Sequence, residues 1–373
     1  MTAPDLRFAL DLHDRLAGAD RSAGFVWSPY SVASALGLAA AGARGATLEE
    51  IAVALGPGGR PADLAALAAA LADGARLEPE QEEMAGARIA VANTLWADRS
   101  LPVAEAYLAT VRQWPGGAVR TADFAGDPAG ARKAVNVDVE HTTHGLIRDL
   151  LAPDQVRRDT RAILVNALWL RASWVQAFPA SATRPLPFHA PGGDVQVPTM
   201  RVERRMSYAE RHGWRLATVP AGSGVVADVL LPDRDLATAE PALDPAMLAD
   251  LIAAATPVTV ALSLPRFRVE GQAALSEPLA DLGVRRLFSN DCDLSGVTGG
   301  AESLKVSAAV HKAVLTVDES GLEGAAATAV MMVRTAFMAP PRPVEMRVDR
   351  PFLVLVRHEG SGALYFLARV TRP

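Results

Sequence analysis

Hydrophobic residues recur at helical spacing in some segments of the chain and at every second position in others. Residues 5–17, for example, place Leu6, Ala9, Leu10 and Leu16 on one helical stripe. The same spacing predicts helices over residues 5–17, 29–41, 47–55, 62–76, 103–112, 128–141, 245–255 and 273–282. Apolar segments punctuated by Gly and Pro predict strands over residues 25–27, 88–97, 163–171, 188–200, 206–219, 225–231, 257–269, 303–318, 344–348, 351–357 and 363–370. Because helices and strands are mixed without regular βα alternation, the pattern predicts an α+β fold with antiparallel or mixed sheets.

Two of the predicted helices carry capping signals. Ser28 precedes Pro29, which is the usual order of an N-cap residue and a proline in the first turn. Thr47 and Glu50 have the spacing of a capping box. We therefore expect the second helix to begin after Ser28 and the third to begin after Thr47.

The stretch from Val317 to Arg334 has a pattern that is unusual for a surface loop. It opens with the acidic, turn-like residues Asp318-Glu319-Ser320-Gly321 and continues with small and then apolar residues. Read with the two-residue period of a strand, it has one face without charge, formed by Leu322, Gly324, Ala326, Thr328, Val330 and Met332. Glu323, on the other face, is the only charged residue between Gly321 and Arg334. The uncharged face could therefore be buried in a sheet without stranding an ion.

A proline-rich segment, Thr335 to Val344, follows this stretch and is unsuited to a central strand. The two segments together predict a strand held out in a loop beside a tether. An ordinary buried helix or strand over residues 325–333 is the alternative, since alanine favours helices.

Composition excludes several classes of function. The chain has 373 residues and a net charge of −5, which argues against nucleic acid or an anionic membrane as a partner. No apolar run approaches the roughly 18 residues of a membrane span. The single cysteine, Cys292, rules out an internal disulfide and multi-cysteine zinc sites. The first 16 residues show no signal-peptide pattern, so a cytoplasmic location is expected from the sequence.

No motif of a known catalytic site is found. The sequence lacks a Gly-x-Ser-x-Gly elbow, a phosphate-binding P-loop and a His-Glu-x-x-His motif. His141 and His144 have a spacing that could bind a metal, but no third ligand lies nearby. We therefore expect neither an enzyme nor a protein with a metal or other cofactor.

Motifs along the whole chain resemble those of one family, the serpins. The N-terminal region carries Phe25-x-Trp27-Ser28-Pro29-x-Ser31, and the middle carries Leu164-Val165-Asn166-Ala167-Leu168-Trp169 with Trp174 and Phe178. Further similar segments follow in the family's order, namely Asn93-Thr94-Leu95-Trp96, Val197-Pro198-x-Met200, Leu262-x-Leu264-Pro265-x-Phe267, His311-Lys312-Ala313, Glu319-x-Gly321 and Arg350-Pro351-Phe352-Leu353.

The resemblance implies one serpin domain over residues 1–373, with three β-sheets, about nine helices and an exposed reactive-centre loop at about 319–343. Such a protein inhibits serine, and in some cases cysteine, endopeptidases as a suicide substrate. The cleaved loop inserts into the main sheet and carries the covalently bound protease with it; loop insertion of this kind is a documented serpin property. The resemblance further implies a monomer, and it allows an extracellular location as the alternative to a cytoplasmic one.

The resemblance also implies which residues carry the function. The hinge of the loop comprises Glu319, Ser320, Gly321, Leu322, Glu323, Gly324, Ala325, Ala326, Ala327 and Thr328. The gate through which the loop enters the sheet comprises Asn166, Trp169, His311 and Lys312.

The reactive bond is predicted within Arg334, Thr335 and Ala336. The family's residue count places it between Thr335 and Ala336, whereas Arg334 is the better anchor for a trypsin-like pocket because guanidinium pairs bidentately with carboxylate. Thr335 suits an elastase-like pocket, and Phe337 or Met338 a chymotrypsin-like one.

Two hinge residues depart from the family pattern. Leu322 stands where a small threonine or serine is expected, and Gly324 where alanine is expected. The bulk of Leu322 is expected to slow insertion without blocking it. The same departure keeps a second function open, that of a non-inhibitory serpin that carries a ligand or acts as a chaperone.

Overall fold

A computed structural model of the chain describes residues 3–18, 20–55, 60, 63–77, 87–114, 116–302, 304–322 and 342–373. The described residues form ten α-helices: α1 Ala3–Ala17, α2 Pro29–Gly42, α3 Gly45–Leu55, α4 Asp63–Gly74, α5 Glu105–Val111, α6 Pro128–Thr142, α7 Leu236–Ala239, α8 Pro245–Ala253, α9 Ser276–Asp281 and α10 Ser295–Thr298.

Fifteen strands are formed by the same residues. They are β1 Phe25–Trp27, β2 Arg88–Asp98, β3 Gly117–Ala122, β4 Ala162–Ser173, β5 Arg184–Ala190, β6 Gly193–Arg211, β7 Trp214–Pro220, β8 Val225–Pro232, β9 Thr256–Pro265, β10 Phe267–Ala274, β11 Ala308–Val317, β12 Gly321–Leu322, β13 Val344–Arg347, β14 Phe352–His358 and β15 Leu364–Val370. The mixture of helices with parallel and antiparallel strands confirms the predicted α+β class.

Six strands form what we call the main sheet, in the order β10-β11-β12-β4-β2-β3. At one end of it β11 and β4 run parallel and pair directly, residues 308–312 with residues 163–167. At the other end β12 lies between them and is antiparallel to both. Between these two regions, residues 313–316 of β11 and 168–171 of β4 have no strand partner among the described residues on the sides that face each other. We call this region the gap.

Nine strands form the second sheet. The family resemblance predicted three sheets, and two of them are joined into one in this structure. The joining strand is β6, which has 19 residues and pairs with β5, β9 and β7 in turn. The edge strand β13 resumes the described chain after residue 341 and pairs in parallel with β9. The loop expected to bear the reactive bond therefore leaves from the main sheet and returns to the edge of the second sheet.

The central strands of the main sheet pack against helices on both faces. Its back face packs on α2, where Val32 and Leu36 belong to the large core together with Leu164 of β4. Its front face packs on α6 and on the segment after it, in a smaller core that includes Trp96 and Val135. Because successive residues of a strand point to opposite faces, the parity of a residue number in β4 decides which core it joins.

Several predicted element boundaries were wrong. Ser28 caps α2 as expected, accepting a hydrogen bond from the Ser31 amide, but α3 begins at Gly45, so Thr47 lies inside the helix. Thr47 accepts a hydrogen bond from the Asp293 amide instead. The single strand predicted over 257–269 is two strands in different sheets, because the apolar alternation continues through the point where the chain changes sheet.

Candidate functional site at the gap of the main sheet

The open end of the gap is already occupied by the first residues of the predicted hinge. Leu322 lies opposite Val317 on one side and Ala172 on the other, and its side chain is 0% exposed. It belongs to the back-face core. Gly321 pairs with Ser173, and a Cβ atom at position 321 would lie 2.2 Å from the Ala172 carbonyl oxygen. Only glycine therefore lets β12 approach β4 this closely.

Backbone and side-chain groups just beyond the end of β4 hold the turn that leads into β12. Trp174 donates its indole Nε1–H to the Asp318 carbonyl at 2.8 Å, and its amide donates to the Ser320 carbonyl at 2.9 Å. The Phe178 amide donates to the Glu319 carbonyl at 2.9 Å. These contacts leave few unsatisfied polar groups in a turn that is partly buried.

Glu319 anchors the same turn through its side chain. Its carboxylate accepts hydrogen bonds from Arg266 Nη2, at 2.5 Å, and from the Thr183 hydroxyl. Burial alone would raise the pKa of Glu319, but the hydrogen bonds from Arg266 and Thr183 outweigh it and hold the pKa below its usual value. The carboxylate is therefore ionised at neutral pH and ties the hinge to the residue before β5 and to the β9–β10 connection.

This placement differs from the exposed loop expected for residues 319–322. The turn is closed by Asp318, whose carboxylate accepts the amides of Ser320 and Gly321 at 2.7 and 3.2 Å. The bulk of Leu322 is already accommodated between β11 and β4, so it is no obstacle that later insertion must overcome. The reason is that a leucine side chain gains about 2 kcal/mol or more from full burial, which favours the docked position.

The closed end of the main sheet is held by a buried polar cluster. His311 Nδ1 lies 2.5 Å from Asn166 Oδ1, and the Ser28 amide donates to His311 Nε2 at 3.0 Å. Asn166 in turn donates to Asn93 Oδ1 at 2.5 Å and to the Ser31 hydroxyl at 2.7 Å. Because Nε2 accepts a hydrogen bond, the ring proton is on Nδ1 and the imidazole is neutral. The cluster joins β2, β4, β11 and the start of α2.

We expect the closed end to lose stability in mild acid. Complete burial lowers the pKa of His311 from 6.5 to about 3, so the folded state resists a proton that the unfolded chain accepts. The stabilisation is complete above pH 6.5 and is lost as the pH falls towards 3; at pH 5 the loss is about 2 kcal/mol. Urea midpoints of the intact protein at pH 7 and pH 5 measure it.

The control for this measurement is His311→Gln, which cannot titrate. It should show a smaller drop in midpoint between pH 7 and pH 5 than the wild type. His13, which is also buried with a lowered pKa, contributes equally to both proteins. Equal drops in the two proteins would contradict the assignment.

The two other predicted gate residues lie on the front face. Trp169 makes an edge-to-face contact with His144, with ring centroids 4.5 Å apart, and its indole Nε1 has no hydrogen-bond partner among the described residues. Lys312 Nζ donates to the Arg148 carbonyl at 3.0 Å. Gln272 of β10 likewise donates to the Leu150 carbonyl. The segment after α6 thus crosses the front of the gap and is tied to β10 and β11.

The four predicted gate residues therefore form two groups and not one. Asn166 and His311 pair at the closed end, and not where the hinge first enters, because Leu322 is seated beside Val317 at the other end of β11. Trp169 and Lys312 instead contact the segment that follows α6. Strand alternation accounts for this separation, since the side chains of Asn166 and Trp169 point to opposite faces of β4.

The rest of the predicted site is not covered by the structure. The remaining predicted hinge residues, Glu323 to Thr328, lie outside the described residues. So do the predicted reactive-bond residues, Arg334 to Ala336.

Comparison with known proteins identifies the family. Residues 5–373 match the sequence model of the family described as Serpin (serine protease inhibitor). The chain belongs to the serpin family. It is 32% identical, over 98% of this chain and 84% of the relative, to an uncharacterized serpin-like protein of Thermococcus kodakarensis. It is 31% identical to the leukocyte elastase inhibitor of Bos taurus, over 100% of this chain and 99% of that protein.

A solved serpin structure shows the same fold. Serpin48 of the insect Tenebrio molitor superimposes with a TM-score of 0.85 at 29% identity, covering 100% of this chain and 97% of that one. The serpin fold predicted from the motifs is thus confirmed, and the family is one of protease inhibitors and not of enzymes.

Sequence reasoning missed several residues that hold the serpin hinge. Trp174 and Phe178 belong to a segment that resembles the family, but nothing in it relates them to the hinge, and Thr183 carries no signal at all. Arg266 follows Pro265 at the change of sheet, and no local pattern relates it to Glu319, 53 residues later. Only the folded chain brings these groups together.

Two other sequence expectations concern metals and membranes. Among the described residues, no group of three or more His, Cys, Asp or Glu side chains is arranged to hold a metal ion. No helix in the described part of the chain is long and apolar enough to cross a membrane.

Proposed function

We propose that this serpin is a suicide-substrate inhibitor that traps a serine protease by inserting its cleaved loop into the gap. The observation that carries the proposal is β12, a strand already seated between β11 and β4 in the register that further insertion would continue. The chain runs from β12 directly into the stretch predicted to carry the reactive bond. No rearrangement of the hinge is needed before insertion starts.

The register of β12 assigns a place to each residue that would follow. Because β12 is antiparallel to both neighbours, each step forward in the loop is one step back along β11 and β4. Thr328 would then lie between His311 and Asn166. Val330 would lie between Ala309 and Leu164.

The inserted residues that would point to the back face are small or apolar. Gly324, Ala326, Thr328 and Val330 share the face of Leu322. The position that Val330 would take borders a tightly packed apolar part of the core, lined by residues that include Val32, Leu36, Leu164 and Ala309. Gly324 and Ala326 would enter rows of the gap that are already unpaired, whereas Thr328 and Val330 would fit only after β11 has moved away from β4.

Insertion must also open the closed end. The direct pairing of residues 308–312 with residues 163–167 has to break, and β11 has to move away by one strand spacing, about 4.8 Å. The hydrogen bonds of the closed-end cluster and of Lys312 would be broken or replaced during that movement. These hydrogen bonds therefore stabilise the closed end and keep the uncleaved serpin in its native form.

The test is incubation with a panel of trypsin-like and elastase-like proteases. We expect an SDS-stable adduct, together with a released C-terminal peptide that begins at Thr335 or Ala336 in mass spectra. A protease whose catalytic serine has been replaced is the control, because it cannot form the acyl-enzyme. Loop cleavage without any adduct across the panel would argue against the proposal.

A ligand carrier is the second candidate. A half-open cavity of about 220 Å³ lies between α1 and the start of α8, lined by Leu10, Leu243 and Leu353 and by the charged groups of Arg21 and Glu240. A carrier needs no loop insertion, so the effect of loop cleavage on thermal stability separates the two candidates.

A further inference from the structure

One half-buried arginine of the second sheet lies beside the segment that holds the hinge. Arg204 of β6 donates from Nη1 to the Gln176 carbonyl, and its Cζ lies over the ring of Phe178, 5.2 Å from the ring centroid. Its Nη2 is buried without a hydrogen-bond partner, and no carboxylate pairs with the guanidinium, within the part of the chain that the structure describes. Burial lowers the pKa of Arg204 to about 10, so the group still carries its charge at neutral pH.

The two faces of β6 show how this arginine differs from its neighbour. Met200 and Met206 share the inner face with Arg204 and are buried. Arg205 is on the opposite face, is exposed, and makes no ion pair or hydrogen bond with any described residue. Because a desolvated charge is costly, the position of Arg204 has a cost that the position of Arg205 does not have. The aromatic ring and the carbonyl are the contacts that offset it.

Residues 174–178, which we call the bracket, connect Arg204 to the hinge turn. On one side, the amides of Trp174 and Phe178 donate to carbonyls of that turn, each at 2.9 Å. On the other side, Arg204 contacts the Gln176 carbonyl and the buried ring of Phe178. The rings of Trp174 and Phe178 also make an edge-to-face contact, with centroids 6.2 Å apart. The bracket therefore lies between the hinge turn and β6.

The mouth of the gap is the part of the main sheet that need not open. There β12 already separates β11 from β4 by one strand, whereas the two strands pair directly at the closed end. Insertion therefore moves β11 at the closed end and leaves the mouth in place. A turn held firmly at the mouth keeps β12 in register with both neighbours, and that register determines which row each later residue enters.

We propose that Arg204 is a positioning residue for loop insertion, which holds the bracket, and through it the hinge turn, where insertion starts. The inference rests on the proposed function, because it concerns the first step of insertion. Without the contact over Phe178 the bracket is free to shift, so insertion slows. Hydrolysis of the acyl-enzyme takes place in the protease and keeps its rate. Arg204 thus favours trapping of the protease over its release.

The test compares Arg204→Met with Arg205→Met. The two arginines are adjacent and carry the same charge, but only Arg204 contacts the bracket, so Arg205→Met is a matched control. With a protease that forms an adduct with the wild type, gels measure the ratio of cleaved serpin to SDS-stable adduct. We expect Arg204→Met to raise this ratio roughly five- to thirtyfold, the range for a partly desolvated cation–π contact, and Arg205→Met to leave it unchanged.

Two further variants and a second measurement separate positioning from general stability. Arg204→Lys keeps a charge over Phe178 and should restore most of the wild-type ratio. Arg204→Gln keeps a donor for the Gln176 carbonyl but loses the charge, and it replaces Arg204→Met if that variant does not fold. Hydrogen exchange of the uncleaved proteins should be faster at the Trp174 and Phe178 amides in Arg204→Met, and unchanged over residues 163–168 at the closed end.

The outcomes separate the two proposals. If the wild type forms the adduct but Arg204→Met and Arg205→Met give equal ratios, or Arg204→Lys does not restore the ratio, the role of Arg204 is overturned and the inhibitor proposal stands. Faster exchange at the bracket with an unchanged ratio also overturns it, because Arg204 is then only structural. If the wild type forms no adduct with any protease of the panel, the inhibitor proposal fails and the role of Arg204 fails with it.

Discussion

Cleavage of the loop between residues 322 and 342 is expected to raise the melting temperature of this serpin by roughly 10–15 °C. Insertion of residues 323–330 would form roughly ten more ladder hydrogen bonds than it breaks, each worth about 1 kcal/mol. For a chain of 373 residues, about 10 kcal/mol corresponds to a shift of this size. Calorimetry of intact and cleaved samples measures it.

The control is cleavage at a site where the freed chain end cannot insert into the gap as a new strand. The exposed turn between β5 and β6, at Pro191 and Gly192, can accept an engineered protease site. Cleavage there should leave the melting temperature unchanged or lower it. If cleavage of the loop gives no gain over this control, the uncleaved serpin is not metastable and the trapping mechanism is excluded.

Replacing Leu322 by aspartate is expected to turn the inhibitor into a substrate. The side chain at 322 is fully buried between Val317 and Ala172, where an ionised carboxylate would cost several kcal/mol without a partner. The hinge of Leu322→Asp should stay outside the sheet. Hydrolysis of the acyl-enzyme should then be faster than insertion of the loop. We expect loop cleavage at a normal rate, loss of most of the SDS-stable adduct and a smaller gain in melting temperature.

Leu322→Thr is the matched control, because threonine is smaller than leucine and carries no charge. It should still form the adduct, although the uncleaved hinge should be docked less firmly after losing leucine burial. Equal adduct yields from Leu322→Asp and the wild type would mean that burial at position 322 plays no part in trapping.

Much of the site follows from strand periodicity. The two-residue alternation correctly placed Leu322 on the buried face, and the same rule could have separated Asn166 from Trp169, since three residues apart in one strand means opposite faces. Grouping both in one gate overlooked a signal that the sequence contained. The cap at Ser28 was likewise predictable, because capping depends on residues within one turn.

Contacts between distant segments could not be predicted in this way. Nothing near Glu319 points to Arg266 or Thr183. Likewise, the alternation that runs through Pro265 hides the change of sheet between β9 and β10.

By itself the sequence determined the α+β class, the family and the faces of the hinge, because these depend on local periodicity and on motifs in order. Only the tertiary structure decided that the start of the hinge, Gly321 and Leu322, is already docked between β11 and β4, and which charges and hydrogen bonds hold it there. Those features depend on sheet register, which is set by packing of the whole chain and not by any local stretch of it.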